Sequence, residues 1–99
     1  MKVFYTEQAL DSLQDCLDFL SLEHPPGKIT EIRDRIILKV EKLKSNPFVG
    51  QREEYLLHLG LDHRRIIEGN YKIIYRVIND IIYITDIFDS RQDPAKMKS

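Results

Sequence analysis

The chain has 99 residues, 42% of them hydrophobic and 31% charged, with a formal net charge of −1. This length supports one domain over 1–99, with a core at about 3–90 and a short tail at 91–99, and the apolar fraction excludes a disordered chain, which could not offset the entropy of ordering. The near-neutral balance excludes a generally cationic nucleic-acid binder, and the lone Cys16 excludes an internal disulfide and fits a reducing compartment, the cytoplasm.

In chain order, "MKVFY" is a short β-type run, and Thr6 after it can cap a helix. Leu10, Leu13, Leu17 and Leu20 then follow helical spacing, with Asp11, Asp15 and Asp18 on another face. Glu7, Asp11 and Asp15 break up this region before a membrane-spanning length accumulates. "HPPG" at 24–27 ends the helix, because proline cannot extend the hydrogen-bond ladder.

A second helix carries Ile29, Ile32, Ile36, Val40 and Leu43 on one stripe and gathers Lys39, Lys42 and Lys44 near its negative end, before "SNPFVG" stops it. Residues 51–60 read equally as a helical turn or as the start of a strand. Three β-runs follow, "LDHRRIIE", "YKIIYRVI" and "IIYITDIF", separated by Gly69-Asn70 and Asn79-Asp80, dipeptides suited to two-residue hairpin turns. The order is β-α-α-β-β-β, an α+β fold with a helical hairpin on one face of an antiparallel sheet.

Two-residue turns fix a register. Ile66 falls opposite Ile73, Arg65 opposite Ile74, Arg64 opposite Tyr75 and His63 opposite Arg76. Across the second turn Val77 meets Ile82, Arg76 meets Tyr83, Tyr75 meets Ile84, Ile74 meets Thr85 and Lys72 meets Ile87. One face then collects Ile66, Ile73, Tyr75, Val77, Ile82 and Ile84 and receives the helices. The other collects His63, Arg65, Lys72, Arg76, Tyr83 and Thr85, and should be open to water or a ligand, since cations on a face buried from both sides are costly. Arg64 and Asp86 do not fit, falling on the helix side. A bulge in the first of the three strands would exchange Arg64 with Arg65.

The exposed cations either keep an uncovered sheet soluble or form a surface for anionic groups, with Tyr83 available to stack. His58 and His63 lack a third metal ligand at recognisable spacing, and no phosphate-binding glycine loop is present, so no metal or cofactor is expected.

The residues Asn46, Pro47 and Gly50 ("NP..G"), then "HRRIIEGNYKIIYRV", then "IFDSRQDP" resemble the RelE/ParE toxin superfamily, and most closely its ParE-like plasmid-stabilisation branch, from about Val3 to Met97. The resemblance implies a bacterial toxin of a type II toxin–antitoxin pair, silenced by a cognate antitoxin encoded beside it. ParE-type members inhibit DNA gyrase. RelE-type members instead cut messenger RNA on the ribosome without a metal. Carried over by position, the nuclease residues are His63, Arg65, Lys72 and Arg91, and the RelE C-terminal tyrosine falls near Met97, which supplies no ring or proton. If the chain is ParE-like, the implied contact surface is Arg65, Lys72, Arg76, Tyr83 and Arg91. The ending "FDSRQDPAKM" and the near-neutral charge favour the ParE-like reading, with an inactive, antitoxin-binding relative as a further alternative.

Overall fold

The computed structural model describes residues 1–99. Strand β1 (Lys2–Tyr5) leads into α1 (Glu7–Ser21) and α2 (Pro26–Glu41), and then come β2 (Gln51–Arg52), β3 (Arg64–Glu68), β4 (Tyr71–Ile78) and β5 (Ile81–Asp89). The expected α+β order is present, with β2 as a two-residue addition. Short 3-10 turns occupy Lys42–Lys44, Glu54–Leu59 and Pro94–Lys96, which resolves residues 51–60 into a strand followed by helical turns.

Local chemistry sets the helix ends. The Thr6 hydroxyl accepts from the Ala9 amide and donates to the Ile84 carbonyl, so one side chain caps α1 and ties it to the sheet. Pro25 precedes α2 and Pro26 opens it, where a missing N–H costs nothing. No helix is long and apolar enough to cross a membrane.

The five strands run in the order β1-β5-β4-β3-β2. The three-strand meander is antiparallel as expected, but β1 joins β5 in parallel, so the sheet as a whole is mixed. Both tight turns take left-handed backbone at their first residue, Gly69 (φ 59°) and Asn79 (φ 55°). The β3–β4 ladder has the anticipated register from Glu68–Tyr71 to Arg64–Tyr75, and β3 contains no bulge.

The β4–β5 ladder matches from Ile78–Ile81 to Tyr75–Ile84 and then shifts by one residue at Thr85. Ile74 therefore meets Asp86, not Thr85, and Lys72 meets Phe88, not Ile87. Because side chains alternate, the extra residue reverses every face beyond it. Ile87 turns to the helices, while Asp86 and Phe88 turn away from them, which removes the misfit of Asp86.

The main core packs Ala9, Leu13, Ile36, Val40 and Leu43 against Ile73, Tyr75, Ile82, Ile84 and Ile87. A second, smaller cluster of Leu56, Ile74, Phe88 and Met97 lies on the other face. That face is thus not wholly open. The 54–59 turn supplies Leu56 and the chain after Asp93 supplies Met97, and together they roof its middle.

Gly50 shows how closely the layers approach. Its amide donates to the Tyr75 hydroxyl at 2.9 Å, and a Cβ there would lie 2.7 Å from the Arg65 carbonyl oxygen. Only glycine fits.

Candidate functional site

Beneath that roof, Glu53 is the organising residue. Its backbone amide donates to the His63 carbonyl, which aligns it with β3 just past the end of β2. Its side chain is fully buried. Glu53 Oε2 accepts from the Tyr55 amide, capping the 3-10 turn, and Oε1 accepts from Lys72 Nζ at 2.8 Å. Arg65 Nη1 stands 3.9 Å from the same carboxylate. A buried carboxylate needs such partners, because desolvating a charge alone is prohibitive.

The cations expected on an open face are consequently engaged from within. Lys72 is also 5.2 Å from the centroid of the Tyr55 ring. Arg65 donates to the Arg52 carbonyl at 2.7 Å and to Gln51 Oε1 at 3.0 Å. Arg76 donates to the Leu61 carbonyl at 2.9 Å. Arg64 remains on the helix side, where its guanidinium donates to the Phe48 and Gly50 carbonyls and lies over the Phe48 ring, 5.4 Å from the centroid.

His63 shares the face of Arg65 but is buried, and it does not extend the ladder to Arg76. Its Nε2 lies 3.1 Å from the Ser99 carbonyl, and Nδ1 has no partner. Burial pulls its pKa below the ordinary histidine value. Asp86, on the same face in β5, receives the Lys98 amide at 2.9 Å, so two buried polar groups hold the tail segment in place.

Arg91 is separate. Its guanidinium and amide grip Asp89, with the shortest contact at 2.8 Å, and it borders a hollow lined by Leu20, Lys28 and Arg35 on the helix side. The hydrogen bonds from Arg91 hold the Asp89 carboxyl below the usual carboxylate range. The structure therefore brings Arg65 and Lys72 together on Glu53 and places Arg76 beside Tyr83, but it leaves Arg91 on the other side of the sheet.

Tyr83 is half-buried and meets the exposed Phe4 edge-on at 5.7 Å between centroids. Phe4, Tyr83 and Arg76 form one cross-strand row that neither the 54–59 turn nor the tail contributes a buried contact to. Cys16 is half-buried with its pKa pushed up to about 11, chiefly by burial and then by Asp89 and Asp86, which leaves the thiol protonated and unreactive.

As a cleavage centre this arrangement is poorly provided. Activation of a ribose hydroxyl needs an accessible base, and stabilisation of a phosphorane needs cations free to meet it. Here the histidine is covered and the cations face internal acceptors. As a framework for protein recognition it is better suited, since a rigid paired sheet presents Phe4, Tyr83 and Arg76, residue types enriched where partners bind.

Comparison with known proteins places this geometry in context. The family model for the ParE toxin of type II toxin–antitoxin system, parDE, matches residues 3–94. A chain of the chromosomal ParDE TA system from P. aeruginosa is similar in structure, with a TM-score of 0.77 at 22% identity, covering 90% of this chain and 95% of that one. No curated protein matches.

Proposed function

The chain belongs to the ParE toxin family of type II toxin–antitoxin systems, and from that membership we propose that it arrests growth by binding a protein target, DNA gyrase, and not by cutting RNA. It works in the cytoplasm and is silenced by a cognate antitoxin encoded beside it. The observation that carries this reading is the internal pairing of the nuclease-pattern residues. Lys72 is held by the buried Glu53, Arg91 by Asp89, and His63 lies under Ser99. The tail puts Met97 into a small apolar cluster, where it acts as a plug.

The test is induction in cells without the antitoxin, following plasmid supercoiling, the DNA-damage response and the 5′ ends of ribosome-bound transcripts together. Early DNA damage with intact transcripts is expected. Codon-phased cleavage that disappears in Arg65→Ala or Arg91→Ala would install the ribosome-dependent nuclease instead. Normal growth at verified expression would mark the chain as an inactive relative that keeps only antitoxin binding.

A further inference from the structure

Outside the sheet face there is a second group of cations with a different character. A groove of about 580 Å3 runs between the C-terminal end of α2, the 46–51 loop and β3, lined among others by Lys39, Lys42, Leu43, Val49, Arg65 and Ile67. No carboxylate lines it. Arg35 and Lys44 nearby pair locally with Glu31 and Glu41, but Lys39 and Lys42 take part in no ion pair. The floor is apolar, and Val49 (58% exposed) and Ile67 (48% exposed) stand open at its margins.

One wall is an unfinished sheet edge. Strand β2 covers only Arg64 and Arg65 of β3. Because Glu53 donates to the His63 carbonyl, the odd-numbered residues of β3 direct their backbone groups outward, toward β2. Ile67 is the next of these, beyond the end of β2, and its N–H and C=O face the groove without a strand partner. Exposed edges with unpaired backbone groups are templates for an added strand.

We propose that this groove takes an extended segment of the cognate antitoxin in which apolar and acidic side chains alternate, pairing with the β3 edge at Ile67. Its carboxylates meet Lys39 and Lys42, and its apolar side chains cover Val49 and Ile67. The proposal rests on the antitoxin reading above and specifies where and by what chemistry the partner binds. A second copy of this chain is a poorer occupant, since the copy would bring the same unpaired lysines to the contact.

The experiment titrates the purified toxin with the protein encoded by the neighbouring reading frame, at low and high salt, and follows amide exchange in the complex. Lys39→Glu/Lys42→Glu should weaken binding at least about tenfold and flatten its salt dependence. Ile67→Pro removes an outward donor that no ladder bond to β4 uses, so it should weaken binding about tenfold while the melting temperature stays near wild type. Should that variant unfold, the wild-type complex still decides, because the Ile67 amide must change from fast exchange to protected. Unchanged affinity in the lysine variant together with a freely exchanging Ile67 overturns the proposal and leaves the antitoxin assignment standing. A neighbouring protein that does not bind at all removes both. A dimer of the toxin alone that is lost in the lysine variant assigns the groove to self-association and also overturns it.

Discussion

On the second face of the sheet, Lys72 and Arg65 converge on a carboxylate with no solvent exposure, whereas at the α2–β3 groove Lys39 and Lys42 stand over an apolar floor and take part in no ion pair, although Glu68 lines the adjoining hollow. The residue types are similar and the distance along the chain is short, yet the first pair belongs to the architecture and the second is available to a partner. A cation is informative about binding only after its counter-charge has been sought within the fold.

The contrast predicts unequal costs. Glu53→Ala should be the most damaging change, about 3 kcal/mol by urea denaturation, because it strands Lys72 and uncaps the 54–59 turn. Lys42→Ala should stay within about 0.5 kcal/mol of wild type. Equal effects of the two would erase the distinction, and recovery in a Glu53→Gln/Lys72→Met double variant would sharpen it. At the boundary between the regions, Gly50→Ala should cost about 2 kcal/mol, since the added methyl meets the Arg65 carbonyl and the Tyr75 ring. A smaller loss there would mean that the 46–51 loop can retreat, which a melting curve would register.

The least of these effects is pH-dependent. Burial lowers the folded pKa of His63, so its contribution is complete above the unfolded value near 6.5 and is lost as pH falls through the folded value. The urea midpoint should therefore drop between pH 8 and pH 5, and His63→Gln should flatten the drop. Asp89 titrates lower, below the ordinary carboxylate value of 3.8, and does not enter this window. An unchanged slope in His63→Gln would show that the tail contact at Ser99 is unimportant to the roofed face.

Much of the sheet is legible from residues alone. Gly69 and Asn79 supply left-handed backbone at the two turns, and hydrophobic alternation does the rest, so the β3–β4 register and the first half of β4–β5 follow directly. The shift at Thr85 carries no sequence mark of its own. Its only trace is Asp86, an acid that an unbroken ladder assigns to the helix side. The direction of β1 is equally silent, because Val3 and Tyr5 would face the helices in either orientation. Glu53 is harder to read from the sequence. It lies 19 residues from Lys72 in a stretch compatible with either strand or turn, and the one available clue is that three cations on one sheet face demand an acid from somewhere. The "NP..G" motif found its reason only in the structure, through the contact of Gly50 with Tyr75.

The parallel pairing of β1 with β5 also governs when this molecule becomes whole. Thr6, just after β1, bonds to Ile84, 78 positions downstream, so β1 has no berth in the sheet until β5 is available. Contacts of such long sequence separation form late. The finished sheet, with the Phe4–Tyr83 pair across its β1–β5 seam, is accordingly closed only once β5 has taken its place beside β4.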